Sequence, residues 1–403
     1  MNEKVLFFDN PKNAIYFCLG LLLAVGCVNV YSASFVYATS ELSSTYHFVG
    51  RYIIFAAVSM LALGLVRKIG YRGLLKTDVL LVFLGVIIVL LALVLFFGPE
   101  INAARRWLDF RFFHLQPSEF AKLFVILLCS KFLGEHIGAG RRANIFHAPA
   151  IYCIIVGLSL SYLVYIQPDM GTAGIIMGLV GFMCLLGGVR TSQIVLVVGL
   201  ALACAVGAIW IAPYRLNRIM MWLNPWQDPT GNGYQMVQSF IAIGSGGFFG
   251  MDWGAGTAKF YFLPELHTDF AFAIFCQENG FVGALGLMIL FFILGFALWN
   301  VARRASDPVG SLLVSGICIL VVGQAVANMA MVCGILPIIG VPLSFISYGG
   351  SSMLVSSLAL GVALSVYDEE CLRTAKLAQL MKMAEATPYQ RRSEFQVIQG
   401  GKQ

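Results

Sequence analysis

The chain has 403 residues, of which Asp, Glu, Lys and Arg make up only 11% and hydrophobic residues 59%. Charged residues normally cover the surface of soluble domains and amount to about 25% of their sequence. This composition excludes an ordinary soluble enzyme, a disordered chain and a disulfide-stapled secreted domain. The net charge is +6, but the basic residues lie in short segments between apolar runs and form no nucleic-acid-binding cluster. The sequence predicts a polytopic membrane protein.

Ten apolar runs approach the roughly 20 residues that a helix needs to cross a bilayer. In chain order they cover 14–36, 49–66, 79–97, 118–134, 147–166, 171–189, 192–212, 269–300, 309–334 and 343–367. An even number of spans places both ends of the chain on one side. That side holds 18 of the 26 Lys and Arg residues, as is typical of cytoplasmic segments. We therefore expect an all-α polytopic membrane protein with about ten transmembrane helices, in which a membrane domain (14–367) lies between cytoplasmic ends at 1–13 and 368–403.

Three segments face the outside in this topology. Residues 98–117 mix charged and aromatic side chains and are predicted to lie in the membrane interface. Residues 214–268 form the one long external loop, and their many glycines are typical of a folded or partly re-entrant loop. Residues 335–352 contain two prolines and the run SYGGSS. All three segments are predicted to face the same compartment.

Ionisable groups at membrane depth are costly, so each is a functional candidate. Glu119 and Lys122 are three residues apart on one helix face and can form a purely structural ion pair. Asp169 precedes a helix, where a cap is the expected role. Asp269 stands at the start of the eighth helix and is either a cap or a functional group delivered by the long loop. The outer-half candidates together are Arg51, Glu119, Lys122, Asp169, Asp269 and Glu278.

The predicted outer face also carries a surplus of arginine. Guanidinium groups bind phosphate oxygens through paired hydrogen bonds, although attraction to anionic lipid head groups would place arginines at an interface as well. A carboxylate beside several arginines, opening toward lipid, suits a lipid substrate that bears phosphate. The arginines concerned are Arg105, Arg106, Arg111, Arg215 and Arg218.

Eight short motifs resemble the signatures of the SEDS proteins (shape, elongation, division and sporulation). They occur in the family's order across about residues 15–367, and eight in order are highly specific. Residues 31–34 (YSAS) and 345–348 (FISY) resemble the FtsW division type, or its sporulation relative, more than the RodA elongation type. The eight motifs are 102–107 (NAARRW), 116–122 (QPSEFAK), 167–171 (QPDMG), 224–229 (NPWQDP), 233–235 (GYQ), 242–247 (AIGSGG), 262–270 (FLPELHTDF) and 347–352 (SYGGSS).

The resemblance implies a peptidoglycan glycosyltransferase of the cytoplasmic (inner) membrane. Such an enzyme polymerises lipid II on the outer face for septal wall synthesis, inverting the sugar and releasing undecaprenyl diphosphate. The implied partners are lipid II, the diphosphate-linked glycan, a class B penicillin-binding transpeptidase and other membrane proteins of the division machinery, and no nucleic acid. No cofactor is implied; a divalent cation could share the diphosphate charge, but no ligand cluster in the sequence demands one.

The family's essential acid matches Asp269, which the resemblance makes the general base. Arg105, Arg106 and Lys122 match basic residues of the family's motifs and are expected to stabilise the leaving diphosphate, with Glu119 as the partner of Lys122. The further candidates for substrate binding are Arg215, Arg218 and His267.

Two other functions remain open at this point. A flippase could move lipid II across the membrane without making bonds, with Asp169 and Glu278 relaying protons. Such a route needs polar groups in both halves of the membrane. The ionisable groups crowd the outer half, and the main polar residues deeper in the ninth helix are Gln324 and Asn328. A non-catalytic scaffold for cell division would leave Asp269 as a helix cap only.

Overall fold

The computed structural model describes residues 10–41, 45–100, 104–110, 113–141, 144–197, 199, 219–251, 254–260 and 267–385. Long helices dominate this part of the chain. We number them α1 (Pro11–Glu41), α2 (His47–Ile69), α3 (Tyr71–Leu74), α4 (Thr77–Phe97), α5 (Pro117–Gly138), α6 (Ala148–Ile166), α7 (Met170–Leu186), α8 (Tyr234–Gly246), α9 (Ala271–Arg304), α10 (Pro308–Cys318), α11 (Gln324–Val332) and α12 (Gly350–Glu385). A π-helical turn, Ile319–Gly323, joins α10 to α11, and a short antiparallel pair of strands, β1 (Leu108–Asp109) and β2 (His114–Leu115), lies between α4 and α5.

The predicted all-α polytopic architecture is confirmed. Among the described residues, seven helices are long and apolar enough to cross a membrane, and α7 is a shorter apolar helix. Every predicted apolar run overlaps a helix in the described residues, although 343–349 precede α12 and most of 192–212 lies outside the described residues. Apolar side chains on the outside of the bundle, such as Leu61, Phe97 and Phe292, are largely exposed, as expected for surfaces that contact lipid.

Helix α5 is the central helix of the bundle. It carries Glu119, Lys122 and Lys131, yet nearly every residue from Pro117 to Gly134 is buried. Helices α4, α6, α7, α10 and α12 pack around it, while α9 packs against α1 and α8, and α2 packs against α12. A helix surrounded by other helices can hold charged groups at membrane depth because they face protein instead of lipid.

Asn10, just before α1, and residues 367–368 of α12 lie at one end of the bundle, beside Arg67 near the end of α2. Arg67 forms a two-pronged ion pair with Asp368, with Nε–Oδ2 and Nη2–Oδ1 distances of 2.5 and 2.9 Å. The Tyr367 hydroxyl donates to Asn10 Oδ1 at 3.1 Å. Both ends of the described chain therefore lie on the same side, as an even number of spans requires. Helix α12 continues to Glu385, beyond the predicted start of the tail at 368.

Helix α9 has a break that the apolar run 269–300 did not predict. Gly280 adopts φ +64°, and a Cβ there would lie 2.3 Å from the Gly250 nitrogen, so only glycine fits. The residue after the break, Phe281, donates its N–H to Gly247 O at 2.9 Å. The break thereby lets the long external segment bond directly to the helix backbone.

Candidate active site

Asp269 and Arg106 meet at Gly340, in the third external segment. Gly340 adopts φ +66°. A Cβ on this glycine would lie 3.4 Å from Arg106 Nη1 and 3.5 Å from Asp269 Oδ2. The carboxylate and the guanidinium therefore border the same small space, which the missing side chain leaves open. Asp269 and Arg106 are both partly exposed, so this space is not sealed within the bundle.

Arg106 is held in place by the turn that precedes α7. Its Nη2 donates to Pro168 O at 3.0 Å, and its Nε lies 3.9 Å from Asp169 Oδ1. Asp169 is almost fully buried and also accepts the Thr172 N–H at 3.3 Å, as the N-cap of α7. The predicted cap is confirmed, and the same carboxylate is also the counter-charge of the arginine.

The turn before α7 reaches Gly340 because the backbone of Gly171 packs directly against the backbone of Ile339. A Cβ on Gly171, in the first turn of α7, would lie only 2.0 Å from the carbonyl oxygen of Ile339. No larger residue fits at Gly171 without moving one of the two segments. Two glycines thus shape the site, because Gly171 permits the approach and Gly340 leaves room for the charged groups.

Hydrogen-bond donors bind every second backbone carbonyl around Asp269, those of residues 267, 269 and 271. Three segments far apart in the sequence supply the donors: Tyr348 N–H binds His267 O at 2.8 Å, Asn328 Nδ2 binds Asp269 O at 2.8 Å, and Asn29 Nδ2 binds Ala271 O at 3.2 Å. The N-cap position of α9 belongs to Phe270. Asp269 stands one residue before that position.

His267 lies within a cluster of aromatic rings. The ring centres of Phe48, Tyr348 and Tyr37 are 5.0, 6.0 and 6.2 Å from that of the imidazole. Burial raises the pKa of the Tyr348 phenol, although the nearby Arg51 guanidinium opposes the shift. The cluster therefore contains a neutral phenol and fixes the segment that leads into Asp269.

The predicted pairing of Glu119 with Lys122 is confirmed. Lys122 is fully buried, and its Nζ donates to Glu119 Oε1 at 2.6 Å and to Gln324 Oε1 at 2.7 Å. The Gln324 amide nitrogen in turn donates to Pro342 O at 3.2 Å. Lys122 is thus connected to the Gly340 segment through Gln324, and its ammonium group lies inside the bundle.

Arg105 points away from this constellation. Its guanidinium is exposed, with Nη1 donating to Leu95 O at 3.3 Å and Nη2 lying 3.5 Å from Glu100 Oε2. In the described structure it meets neither Asp269 nor Gly340. The arginines Arg111, Arg215 and Arg218 lie outside the described residues.

The segment that carries Arg106 is attached to the start of α12. Ser351 Oγ donates to His114 O at 3.2 Å and accepts the Gln116 N–H at 3.0 Å. This serine belongs to the SYGGSS motif. The motif therefore connects the strand pair to the helix that follows the Gly340 segment.

The long external segment is attached to α9 by buried polar groups. Glu278 Oε1 accepts bonds from Lys259 Nζ at 3.3 Å, from the Gly254 N–H at 3.2 Å and from the Ser32 hydroxyl. Lys259 and Glu278 are both about 96% buried in their side chains. The neighbouring Gln277 accepts the Ala258 N–H at 3.1 Å. Both residues of this polar pair in α9 therefore bind the loop.

Two residues of the site were not predicted, and a third was noted only for its depth. Gly340 lies in a loop whose backbone geometry no local pattern reveals, and Asn29 is one polar residue in an apolar run. Asn328 was predicted only as a deep polar residue. Within the described residues, no three His, Cys, Asp or Glu side chains are close enough to hold a metal ion.

Comparison with known proteins establishes the family. A family model of the FtsW, RodA and SpoVE group, described as cell cycle protein, matches residues 12–371. The chain belongs to this family. The FtsW/RodA/SpoVE model thus spans all the described site residues, and it covers all eight motifs by which the sequence resembles SEDS proteins.

Individual relatives of this FtsW/RodA/SpoVE chain carry two kinds of name. Stage V sporulation protein E of Bacillus subtilis is 36% identical over 348 residues, which cover 86% of this chain and 94% of that protein. The probable peptidoglycan glycosyltransferase FtsW of Trichlorobacter lovleyi is 37% identical over 347 residues, covering 86% and 90%. The chain is therefore similar along nearly its whole membrane domain to both a sporulation and a division protein.

Solved structures share the fold. A chain from a peptidoglycan synthase complex that coordinates polymerization and crosslinking superposes with a TM-score of 0.71 at 30% identity, covering 88% of this chain and 97% of that one. The rod shape determining protein RodA of Thermus thermophilus gives a TM-score of 0.63 at 26% identity, covering 88% and 96%. The arrangement of helices around the site is therefore that of the FtsW/RodA/SpoVE family.

Proposed function

We propose that this multi-pass membrane glycosyltransferase polymerises lipid II into glycan strands, with Asp269 as the general base. One observation carries the proposal: the Asp269 carboxylate and the Arg106 guanidinium border the same space at Gly340. A carboxylate can accept a proton there while a cation beside it stabilises negative charge. Glycosyl transfer from a diphosphate requires both.

The reaction joins two lipid-linked sugars. The acceptor is the 4-hydroxyl of the lipid II sugar, and the donor is the growing glycan on undecaprenyl diphosphate. As the acceptor oxygen bonds to the anomeric carbon, its proton passes to Asp269. The bond from that carbon to the diphosphate oxygen breaks with its electron pair, and attack from the opposite face inverts the centre. A positioned base contributes about 10²- to 10⁴-fold to such a step.

A single carboxylate suffices because the leaving group is already anionic. Glycosidases need a second carboxyl group as an acid, since a sugar oxygen leaves poorly unless it is protonated. A diphosphate leaves as it stands if cations hold its developing charge. We assign that task to Arg106. Lys122 and Arg105 are proposed to contribute to it. Further proposed substrate contacts are Arg215, Arg218 and His267. Lys122 would act from within the bundle, through its charge.

We further propose that the strands serve the division septum and that a class B penicillin-binding transpeptidase is the partner. Similarity to proteins named for division and for sporulation supports a role in septal wall synthesis. Similarity to a chain from a complex that couples polymerization to crosslinking supports a transpeptidase partner.

The proposal is tested with the full chain purified together with its transpeptidase, reconstituted in liposomes and supplied with lipid II. We expect the natural sequence to make glycan strands and Asp269→Asn to make none above background, while it remains folded. Asp109→Asn serves as the matched control, because Asp109 is an exposed carboxylate 3.6 Å from His114 in the strand pair. Normal strands from Asp269→Asn would contradict the base assignment.

The same liposomes test the flippase alternative. Both acids assigned to its proton relay have fixed partners, since Asp169 binds Arg106 and the α7 backbone and Glu278 binds Lys259. If lipid II crosses the bilayer but neither the natural sequence nor Asp109→Asn makes strands, translocation replaces polymerisation as the function.

A further inference from the structure

Asn328 makes an unusual pair of contacts in the centre of the bundle. It lies on α11, is fully buried, and its amide nitrogen donates to Asp269 O at 2.8 Å and to Val341 O at 2.6 Å. Both neighbours are carbonyl acceptors, so the amide nitrogen must face them. The amide oxygen faces away and has no hydrogen-bond partner among the described residues.

The two carbonyls belong to the two segments that form the site. One is the carbonyl of Asp269 itself. The other belongs to Val341, the residue after Gly340, where the Asp269 carboxylate and the Arg106 guanidinium meet. The amide of Asn328 therefore links two backbone segments. One carries Asp269, the proposed base, and the other contains Gly340, which lies between Asp269 and Arg106.

The amide of Asn328 brings a free-energy cost as well as a gain. Burying an amide costs free energy unless its polar atoms are paired, and here one of them is left without a described partner. An apolar side chain of similar size would avoid that cost, but it would leave the carbonyls of Asp269 and Val341 without this donor. Polar groups retained at membrane depth are functional candidates for this reason.

The preceding turn of α11 also carries a side-chain amide that donates to a carbonyl of the Gly340 segment. Gln324 precedes Asn328 by four residues, so the two side chains lie on one helix face. Gln324 binds the following carbonyl, Pro342 O, while accepting from Lys122. This face of α11 therefore holds two successive carbonyls of the Gly340 segment in register.

We propose that Asn328 is a positioning residue for the glycosyl transfer: by bonding to the carbonyls of Asp269 and Val341, it sets the separation between the Asp269 carboxylate and the Arg106 guanidinium. The inference rests on the proposed function of Asp269. Asn328 itself touches no reacting atom and acts through the two backbone segments. A base displaced by about 1 Å loses about 10²-fold in rate, so such a tether matters for turnover.

The test compares two substitutions at Asn328 with a buried control. Asn328→Ala removes the donor, and Asn328→Leu removes it while keeping a similar side-chain volume, so it preserves the packing that alanine would lose. The control is Ser239→Ala: Ser239 is fully buried and also binds α11, through Val332 O at 2.8 Å, at the last residue of that helix. All are measured in the full chain with its transpeptidase and lipid II, alongside melting temperature.

We expect both Asn328 substitutions to lower kcat by about 10- to 100-fold with little change in KM for lipid II. Ser239→Ala is expected to keep normal kcat even if its melting temperature falls as far. We also expect Asn328→Ala and Arg106→Ala to be non-additive, the double variant losing less than the product of the two single losses, because both disturb one geometry.

Three results would overturn the inference. The first is a normal kcat in either Asn328 variant. The second is a loss of kcat in Ser239→Ala equal to that in the Asn328 variants at the same melting temperature. The third is a loss of kcat in the double variant equal to the product of the losses in Asn328→Ala and Arg106→Ala. Asp269→Asn, measured in parallel, separates this inference from the proposed function. If Asp269→Asn is inactive while the Asn328 variants turn over normally, only the positioning role fails; if Asp269→Asn is active, the base assignment itself fails.

Discussion

The carboxylate of Asp269 and the guanidinium of Arg106 lie against the same glycine: a Cβ on Gly340 would be 3.5 Å from one and 3.4 Å from the other. Arg106 also lies beside a second carboxylate, that of Asp169, at an Nε–Oδ1 distance of 3.9 Å. The proposed base and its cation therefore border one small space, with Asp169 on the far side of the arginine.

Gly340→Ala tests that space directly. The φ of +66° disfavours alanine by about 1–2 kcal/mol, and the new methyl group would occupy the space between the charged groups. We expect turnover of lipid II to fall by about tenfold or more, because the reacting groups would be displaced. Gly174→Ala in α7 is the matched control, since a Cβ there meets nothing within 4 Å. Equal turnover in the two variants would show that the space is not used.

Asp169→Asn separates the two roles of that residue. Asparagine is as good an N-cap as aspartate, so α7 should keep its start, whereas the charge that orients Arg106 is lost. We expect a melting temperature close to that of the natural sequence and a lower kcat. Asp169→Ala, which loses the cap as well, should in addition be less stable by about 1 kcal/mol. A normal kcat in Asp169→Asn would mean that Arg106 needs no carboxylate to orient it.

The two neighbouring arginines should behave differently. Arg106 contacts the α7 turn and Gly340, whereas Arg105 is exposed beside Glu100. We expect Arg106→Ala to lower turnover far more than Arg105→Ala, with both proteins inserted in the membrane to the same extent. Loss of insertion in step with turnover would instead indicate that the arginines serve topology.

Substitutions in the Lys122–Glu119 pair are expected to change the stability of the folded protein. Removing one partner of a buried pair leaves an uncompensated charge, which typically costs about 3–5 kcal/mol. We therefore expect Lys122→Met to unfold at much lower temperature and the double variant Lys122→Met/Glu119→Gln to recover much of the loss. If the double variant is as unstable as the two single losses combined, the two side chains do not act as a pair.

Glu278 should control the order of the long external segment. Glu278→Gln leaves Lys259 buried without its counter-charge and weakens the bond to the Gly254 N–H. We expect faster hydrogen exchange in residues 254–260, measured by mass spectrometry. Glu370→Gln is the control, because Glu370 binds Ser306 near the other end of α9. Unchanged exchange in Glu278→Gln would show that other contacts hold the loop.

Sequence patterns predicted the parts of this fold that depend on local composition. Apolar runs predicted the helices, because burial in lipid requires continuous apolar surface. The spacing of Glu119 and Lys122 predicted their pairing, because residues three apart share a helix face. The acid at the start of α7 predicted a cap, and Asp169 forms one.

The remaining features depend on contacts between distant segments, which no local pattern contains. The break at Gly280 exists because the loop near Gly247 bonds to it, and residues 343–349 leave the predicted helix because they belong to the segment around the site. The role of Asn328 follows only from the two carbonyls that meet it. Arg105 and Arg106 are adjacent in sequence and equivalent by motif, yet the structure brings only Arg106 to Asp269.

The most direct test of the proposed mechanism is the rate of glycan polymerisation at saturating lipid II for Asp269→Asn, which removes the base but preserves size and hydrogen-bonding capacity. We expect a rate about 10²- to 10⁴-fold below that of the natural sequence, with lipid II still bound and the melting temperature unchanged. A rate within a few-fold of that of the natural sequence, in a folded protein that binds lipid II, would contradict it.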